Sequence, residues 1–253
     1  MAEYNAQLAA KIDFGPELSL FRIVPNGWDL PHFKAGQFTT LGLNISDKLV
    51  RRAYSIASPP KIRDYIEFYI VLVKEGLLTP KLWDLKVGDF LYMSPKTTGN
   101  FVMDSLPEDQ NIVMLGTGTG IAPFVSMLSQ YMNPSMPRKF ALIHGVRVSQ
   151  DLGYRTALIH LSKLGSQVHY FPIISRPQND PIPWKGLVGH VQDIWKSDAI
   201  ETAWGFKPTP QNTHVFLCGA PQMIMGMTTD LKTKGYLEDA PSHPGNIHSE
   251  KYW

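Results

Sequence analysis

Short runs rich in β-branched and aromatic residues follow one another through the first hundred residues of this 253-residue chain. Turn-forming stretches such as Lys-Glu-Gly and Lys-Val-Gly-Asp separate them, and long helical patterns are absent from this part. Regularly spaced short strands of this kind predict an antiparallel β-barrel or sandwich. The runs concerned are SLFRIV (19–24), QFTTLGL (37–43), YIEFYIVLV (65–73) and FLYM (90–93).

One segment in this region, LLTPKLWDLK (77–86), departs from the strand pattern. Thr79 is a suitable N-cap, because its side-chain oxygen can accept a bond from a free amide of the first turn. Pro80 then suits the first helical position, where no amide hydrogen is needed. The sequence therefore predicts a short helix capped by Thr79 within an otherwise β-rich region.

From about residue 104 the pattern changes to strand-like runs that alternate with stretches able to form helices. Such alternation predicts a parallel sheet covered by helices. We therefore expect two domains, an antiparallel β-barrel over 1–103 and an α/β domain with a parallel sheet over 104–253. The second set of runs is NIVML (111–115), KFALIHGV (139–146), QVHYFPIIS (167–175) and THVFLCG (213–219).

Composition narrows the classes of protein that the chain could represent. The length favours two domains, and 43% hydrophobic with 18% charged residues is ordinary for a globular protein. The net charge of +2 comes with no basic stripe of the kind that nucleic-acid binders carry. Cys218 is the single cysteine, which excludes an internal disulfide framework and a multi-cysteine metal or iron–sulfur site.

Targeting and membrane segments are not expected either. The first fifteen residues lack a basic region followed by an apolar run, so we predict no signal peptide and a cytoplasmic location. The 28 uncharged residues from Gln110 to Pro137 are long enough to span a bilayer. Glycines and prolines interrupt this stretch, which favours a buried strand, a tight turn and a buried helix over a membrane span.

The segment NIVML-GTGTG-IAPFVSML (111–128) is typical of a strand, a glycine turn and a helix. Gly116, Gly118 and Gly120 allow a tight bend and a close approach to a pyrophosphate, and the helix N-terminus offers free amides. Pro123 is compatible with the first helical turn. A glycine pattern alone could also be a packing turn, but its strand and helix flanks favour a dinucleotide site.

The ends of the next two strands favour NADP over NAD. An NAD site normally places an acidic residue at such a position to bind the ribose hydroxyls. Here KFALIHGVR ends on Arg147 and YFPIISR ends on Arg176. Because arginine binds phosphate through two hydrogen bonds, the pair predicts recognition of the 2′-phosphate of NADP. The alternative is that both are solvated side chains at strand ends.

Several motifs, in this order and spacing, resemble those of the ferredoxin–NADP reductase family, in particular the bacterial ferredoxin/flavodoxin–NADP reductases. The resemblance covers nearly the whole chain, and it implies that the barrel binds FAD and the α/β domain binds NADP. It rests on RAYS (52–55), EFYIV (67–71), GLLTPKL (76–82), GTGTGIAP (116–123), HGVR (144–147), ISR (174–176), CGAPQM (218–223) and EKYW (250–253).

The resemblance implies an FAD site in which Arg52 neutralises the pyrophosphate and Tyr54 stacks on the isoalloxazine ring. Ser55 would lie near flavin N5, and the terminal Tyr252-Trp253 would fold over the FAD, as aromatic rings do on nucleotide bases. The FAD-binding residues implied are Arg52, Ala53, Tyr54, Ser55, Tyr69, Val71, Leu77, Leu78, Thr79, Thr119, Tyr252 and Trp253.

The resemblance places the NADP residues at the glycine turn and the strand ends that follow it. Cys218 would lie close to the nicotinamide, although a lone cysteine is by itself more often a small buried apolar residue. Ser55, Cys218 and Glu250 are the implied catalytic residues, with Glu250 as a proton relay. The NADP-binding residues implied are Gly118, Thr119, Gly120, Arg147, Ser175, Arg176, Lys185, His190, Cys218 and Gly219.

Two positions depart from the family's pattern near the 2′-phosphate. Close relatives often carry an arginine where this chain has His190 and an acid where it has Pro177. Histidine is mostly neutral at neutral pH, so its grip on phosphate would be weaker or shared with Lys185. We expect a preference for NADP over NAD, and these residues do not fix the ratio.

The resemblance implies a flavoprotein oxidoreductase that transfers electrons between NADPH and ferredoxin or flavodoxin through FAD. A hydride would pass to flavin N5, and single electrons would then pass to the carrier. A transient complex with the carrier, a monomeric protein and the absence of metal, nucleic-acid and membrane partners are also expected. The alternatives are an NAD(P)H:flavin reductase or oxygenase reductase component and, more distantly, a nucleotide-binding protein without turnover.

Overall fold

The structure is a computed structural model, and it describes residues 4–133, 135, 137–165, 167–240 and 242–251. The chain divides into two compact units by its internal contacts. The first unit comprises the chain up to Asp104 together with Ala122–Tyr131. The second comprises Ser105–Ile121 and the chain from Met132 onward.

The first unit is an antiparallel sheet of six strands in the order β4-β3-β6-β1-β2-β5, with one short helix, α1 (Thr79–Asp84). The sheet closes into a barrel because Ile56, directly after β4, pairs with Phe68 of β5. The strands are β1 (Ala6–Gly15), β2 (Leu18–Pro25), β3 (Phe38–Ile45), β4 (Lys48–Ser55), β5 (Ile66–Val71) and β6 (Phe90–Met93).

Apolar side chains from five of these strands fill the interior of the barrel. Strand residues alternate between the two faces of a sheet, so every second side chain points inward. The inward side chains form one contiguous cluster, and many of the large ones have no solvent exposure. Among them are Leu8, Phe21, Leu41, Phe68 and Leu91.

Helix α2 (Ala122–Tyr131) packs within the first unit. The Ser126 hydroxyl is fully buried and donates to the buried Ser58 carbonyl at 2.8 Å. The rings of Phe101 and Phe124 lie 5.8 Å apart between their centroids. The helix is thus fixed on the barrel by a buried hydrogen bond as well as by apolar contact.

The second unit is a parallel sheet of six strands in the order β10-β9-β8-β7-β11-β12. The strands are β7 (Asn111–Thr117), β8 (Phe140–Val146), β9 (Val168–Ile174), β10 (Leu187–Val188), β11 (Thr213–Gly219) and β12 (Ile247–Lys251). The helices are α3 (Arg155–Lys163), α4 (Val191–Lys196), α5 (Ala199–Trp204) and α6 (Pro221–Thr233).

The centre of this sheet is buried on both faces. Residues 112–115 of β7 are consecutive and all have no exposure, which is the burial expected of a parallel strand covered on both sides. On one face, apolar side chains of α4, α5 and α6 pack against β7, β8 and β11 in a single cluster, including Ile194, Ile200 and Met227.

The predicted fold class is confirmed, since an antiparallel barrel is followed by a parallel sheet with helices. All eight predicted runs lie on strands. Strands β1, β4, β10 and β12 are not among these runs. The second half of β1, KIDFG, alternates polar and apolar residues and none of them is fully buried, β10 has only two residues, and β12 has the polar sequence IHSEK.

The predicted N-cap at Thr79 is wrong by one residue. The N-cap is Leu78, and Thr79 is already the first residue of α1. The Thr79 hydroxyl is engaged elsewhere, because it donates to the Val73 carbonyl and accepts from the Val73 amide, each at 3.0 Å. The side chain that was expected to cap the helix instead ties its start to the chain that follows β5.

The uncharged stretch Gln110–Pro137 contains β7 and the ten-residue helix α2, as the interpretation of a strand, a turn and a helix predicts. Across the residues that the structure describes, no helix combines the length and the apolar character that crossing a membrane requires.

We expect Ser126→Ala to lower the free energy of unfolding by about 1–3 kcal/mol, because it leaves the buried Ser58 carbonyl without its donor. Urea unfolding followed by circular dichroism measures the change. Ser129→Ala is the matched control, since Ser129 lies in the same helix and is only half-buried. Equal losses in the two variants would contradict the role of the Ser126 bond.

Candidate functional site

The glycine turn begins where β7 ends, and a short 3-10 turn, Gly118–Ile121, follows the strand directly. Gly118 has a φ of +55°, a conformation that glycine adopts without steric cost. Among the described residues, no atom lies within 4 Å of the position that a Cβ would take there. The backbone at Gly118 therefore faces open space, as a close approach to a phosphate group requires.

Two other glycines pack this turn against the end of β11. A Cβ on Gly120 would lie 2.5 Å from the Cys218 carbonyl oxygen, and one on Gly219 would overlap the Thr117 hydroxyl. The Thr117 hydroxyl also accepts a bond from the Ala220 amide at 2.9 Å. Thr117 was not among the predicted site residues. The only indication in the sequence was a hydroxyl next to a glycine turn, and this does not reveal that the hydroxyl binds the distant Ala220 amide.

His144 supports the same turn from β8. Its Nε2 lies 3.2 Å from the Gly118 carbonyl oxygen, and its Nδ1 lies 3.2 Å from the Tyr170 hydroxyl. A carbonyl can only accept, so Nε2 carries the proton and Nδ1 accepts from the tyrosine. The ring is fully buried, and burial lowers the pKa of His144 to about 4. A neutral imidazole thus fixes the position of Gly118.

Arg147 and Arg176 lie side by side at the carboxyl ends of β8 and β9. The Arg176 amide donates to the Arg147 carbonyl at 2.9 Å, which holds the two strand ends together. Both side chains are exposed, and neither forms an ion pair within the described ranges. Ser175, between strand and arginine, donates its amide to the Val146 carbonyl at 3.0 Å.

Lys185 and His190 flank the short edge strand β10, and both are exposed. His190 is the N-cap of α4, and its amide donates to the Asp193 carboxylate at 2.7 Å. The nearby Gly189 has a φ of +135°. Since Val188 at the end of β10 pairs with Ile174 at the end of β9, His190 and Arg176 each follow these paired strand ends by two residues.

Cys218 and Glu250 are neighbours on adjoining parallel strands. They are register partners between β11 and β12, and Cys218 is also the partner of Gly116 on the other side. The Cys218 side chain has no exposure, whereas Glu250 is half-buried. The structure thus brings together two of the three predicted catalytic residues at the carboxyl end of the sheet. Their predicted roles stay predictions.

In the first unit, the RAYS segment forms the end of β4. Arg52 and Ala53 are exposed, and Tyr54 is half-buried with its ring against Phe68 at 6.4 Å between centroids. Burial raises the pKa of Tyr54 to about 12 against the opposing charge of Arg52, so its hydroxyl stays protonated. Ser55 is buried at the strand end. An exposed guanidinium and an aromatic ring thus share this strand end.

The remaining predicted flavin residues of the first unit lie on β5 and just after it. Tyr69 is buried with its ring edge to Phe14, and Val71 is half-buried at the end of the strand. Leu77 is 63% exposed. Neither the Leu77 nor the Leu78 amide donates to a backbone carbonyl in the part of the chain described.

Two predicted residues fall outside the described residues, namely Tyr252 and Trp253. Thr119 lies in the 3-10 turn and is half-buried. Within each unit, the predicted residues collect at one end of the sheet. In the second unit this is the carboxyl end of the parallel strands, where such folds bind their ligands.

Comparisons with known proteins match both parts of the chain. Residues 5–101 match the family described as oxidoreductase FAD-binding domain, and residues 114–229 match oxidoreductase NAD-binding domain. The flavodoxin/ferredoxin–NADP reductase of Buchnera aphidicola subsp. Baizongia pistaciae is 34% identical over 238 residues, covering 93% of each chain. The protein of the same name from Escherichia coli (strain K12) is 33% identical over 237 residues, with the same coverage.

A solved structure is also similar over the full length. A ferredoxin NADP+ reductase from Neisseria gonorrhoeae, with bound FAD and NADP, superposes with a TM-score of 0.85. It is 28% identical in sequence, and the alignment covers 99% of both chains.

We expect the free energy of unfolding to fall as the pH drops from about 6.5 towards 4, in part because of His144. Over this range the unfolded chain binds a proton that the buried, neutral ring of the folded state excludes. One such group changes the free energy by up to about 1.4 kcal/mol per pH unit.

Urea unfolding at several pH values measures this slope in the wild type and in His144→Gln, which should show a shallower one. His160→Gln is the control, because His160 is exposed on α3 and its replacement should leave the slope unchanged. The same slope in all three proteins would show that His144 is not a buried neutral group.

Proposed function

The chain belongs to the flavodoxin/ferredoxin–NADP reductase family, and on that basis we propose that it transfers electrons between NADPH and ferredoxin or flavodoxin through bound FAD. It is an oxidoreductase with FAD and NADP(H) as cofactors. The observation that carries the assignment within this chain is the pair Arg147 and Arg176, side by side at the carboxyl end of the parallel sheet, the end that also carries the glycine turn.

The residues of the second unit fit the nicotinamide dinucleotide. Open space at Gly118 leaves room for a phosphate group beside the backbone. The positive φ of Gly118 is a conformation that glycine adopts readily because it has no side chain. Arg147 and Arg176 provide two exposed guanidinium groups for the 2′-phosphate. Lys185 and His190 lie on either side of β10, which pairs with the end of β9, and can add hydrogen-bond donors for the phosphate. Thr119, Gly120, Ser175 and Gly219 complete the proposed NADP site.

The residues of the first unit fit FAD. Arg52 is an exposed cation that can neutralise a pyrophosphate, and the Tyr54 ring can stack on the isoalloxazine. The amides of Leu77 and Leu78 are available as donors, and the exposed Leu77 side chain can cover apolar ligand surface. The other proposed contacts are Ala53, Ser55, Tyr69, Val71 and Thr79, with Thr119, Tyr252 and Trp253 from the rest of the chain.

The chain's own residues bind and orient, and bound FAD supplies the conversion between two-electron and one-electron transfer. Buried His144 holds the Gly118 carbonyl, so the nucleotide meets a rigid turn. Ser55 would lie near flavin N5, and Cys218 would lie near the nicotinamide. Glu250 would hold or release a proton beside Cys218. These three roles are proposals that rest on strand-end positions and on the resemblance.

We propose the domain roles in the same terms, with FAD on the barrel over 1–103 and NADP on 104–253. Helix α2 lies in the second range by sequence while it packs in the barrel unit. We further propose a monomer that forms transient complexes with an acidic carrier, since a local basic surface would steer such a partner. Ionic strength should then weaken the association.

The alternatives differ in what they do with the electrons. A flavin reductase would pass them to free flavin, and an oxygenase reductase component usually carries its own iron–sulfur domain, which one cysteine cannot ligate. A nucleotide-binding protein without turnover would have no need of the flavin residues. The nearly complete coverage of reductases that use ferredoxin or flavodoxin favours the proposed function.

We expect Arg147→Gln and Arg176→Gln each to lower kcat/KM for NADPH by about ten- to a hundredfold, because each removes charged hydrogen bonds to the 2′-phosphate. The same variants should leave kcat/KM for NADH nearly unchanged, since NADH lacks that group. Diaphorase assays with both nucleotides measure the ratio. Lys163→Gln is the control, because it removes one exposed charge at the end of α3.

We expect the purified protein to show flavin absorption, which NADPH should decrease under anaerobic conditions. The reduced protein should then reduce flavodoxin or ferredoxin. Stopped-flow spectroscopy follows each step, and reduction of free FMN is measured in parallel. Faster reduction of free FMN than of either carrier would favour a flavin reductase. A colourless protein that does not take up added FAD would favour a nucleotide-binding protein without turnover.

A further inference from the structure

Two loops at the carboxyl end of the parallel sheet carry the arginines of the proposed 2′-phosphate site. The Arg147 loop (147–154) follows β8, and the Arg176 loop (175–186) joins β9 to β10. Both arginine side chains are exposed. Because they come from separate loops, they can bind one phosphate together only if the loops keep a fixed position relative to each other. A contact that holds one loop to the other therefore bears on phosphate binding.

Asp180 makes such a contact through its carboxylate. Its Oδ2 accepts a hydrogen bond from the Ser149 amide at 2.6 Å, and its Oδ1 accepts one from the Ser149 hydroxyl at 2.8 Å. Ser149 lies two residues after Arg147, and Asp180 lies four residues after Arg176. Two hydrogen bonds from one residue to both oxygens of a carboxylate fix direction as well as distance. The contact thus aligns the two loops close to their arginines.

The Asp180 carboxylate is charged at neutral pH. Desolvation raises its pKa, but the hydrogen bonds from Ser149 and Ile182 and the positive charge of Arg155 outweigh this effect and lower the pKa below its usual value. The Ile182 amide belongs to the same loop as Asp180 and donates to Oδ1 at 3.4 Å. The hydrogen bonds to Ser149 are therefore bonds to an ionised group, which are stronger than bonds between neutral groups.

Apolar packing joins the same two loops. Trp184, in the Arg176 loop, packs against a buried cluster that includes Leu152 of the Arg147 loop and the last residues of β8 and β9. The Trp184 Nε1 donates to the Leu187 carbonyl at 2.9 Å, and the Arg155 guanidinium lies 4.8 Å from the centre of the Trp184 ring. The cluster brings the loops together, and the bonds between Asp180 and Ser149 then fix how they are aligned.

We propose that Asp180 is a positioning residue for 2′-phosphate binding, which holds Ser149 and thereby fixes Arg147 relative to Arg176. The proposal rests on the proposed function, in which these two arginines bind the 2′-phosphate of NADP. A negative charge near a phosphate site would by itself weaken binding, so removal of Asp180 would strengthen binding if its charge alone mattered. Positioning predicts the opposite sign.

The test compares adenosine 2′,5′-bisphosphate with AMP, which lacks only the 2′-phosphate. Isothermal titration calorimetry gives the Kd of each for the FAD-loaded protein, so the measurement does not depend on turnover. We expect Asp180→Ala to raise the Kd of the bisphosphate about five- to tenfold, because the arginines are no longer held in the binding arrangement, and to leave that of AMP unchanged. An unchanged or lower Kd for the bisphosphate, or an equal rise for both ligands, would overturn the proposal.

A conservative variant separates the contact from the charge. Asp180→Asn removes the charge, but its amide oxygen can accept from the Ser149 amide and its NH₂ group can donate to the Ser149 hydroxyl. It should bind the bisphosphate within about twofold of the wild type, since both hydrogen bonds are kept in neutral form. A loss equal to that in Asp180→Ala would count against the positioning role.

Asp109→Ala is the matched control, because Asp109 is an exposed acid just before β7, at the other end of the strands. It should change neither Kd, and circular dichroism confirms that each variant folds. A rise in Asp109→Ala as large as that in Asp180→Ala would show a general effect of lost charge and would overturn the proposal.

Double variants show through which residue Asp180 acts. In an Arg147→Gln background, Asp180→Ala should raise the Kd of the bisphosphate by less than about twofold, because the arginine that it positions is already gone. Independent, multiplying losses would overturn the proposal. Likewise, Ser149→Ala should add nothing in an Asp180→Ala background, where its partner is absent.

Failure of the proposed function gives a different result. If the wild type bound the bisphosphate no more tightly than AMP, or if Arg147→Gln and Arg176→Gln left its Kd unchanged, the 2′-phosphate assignment and this proposal would both be overturned. A raised Kd in Arg147→Gln together with a wild-type Kd in Asp180→Ala would overturn this proposal alone.

Discussion

The organisation of the second unit depends on the close contact between the ends of β7 and β11. Gly120 lies against the Cys218 carbonyl, and Gly219 lies against the Thr117 hydroxyl, so neither position has room for a Cβ. This contact places the open face of Gly118 and the strand end that bears Cys218 next to each other. Close-packed backbone on both strands leaves little room for movement, so the contact fixes the position of the turn.

Around this contact, polar groups are arranged by what each can donate. His144 is neutral and donates its single N–H to the turn, while the charged groups of Arg147 and Arg176 are exposed at the next strand ends. The other end of the same sheet differs, with lysines, acids and prolines around a concave surface. The two ends of one set of strands thus present different chemistry, although the same helices cover the sheet between them.

Much of the fold could be predicted because the central strands are apolar along their length, as NIVML and THVFLCG are. Their alternation with helical segments can also be read directly from the sequence. The polar strand β12 could not be predicted, since IHSEK joins the sheet only by pairing with β11. At the proposed site, the positions of Arg147 and Arg176 just after strand ends were predictable. Thr117 and His144 were not, because their roles depend on partners in other segments. Thr79 failed as a cap for the same reason, since Val73 competes for its hydroxyl.

Helix α2 has a consequence for how the protein can be divided. The chain leaves the barrel unit after Asp104, returns to it for Ala122–Tyr131, and then leaves it again. A fragment that ended at residue 103 would lack the helix that covers the Ser58 carbonyl and the Phe101 ring. The barrel unit is therefore discontinuous in sequence. Its last element, α2, comes after β7, the first strand of the second unit. Expression of either half alone would yield an incomplete protein, whereas co-expressed fragments cut after Tyr131 would keep the barrel whole.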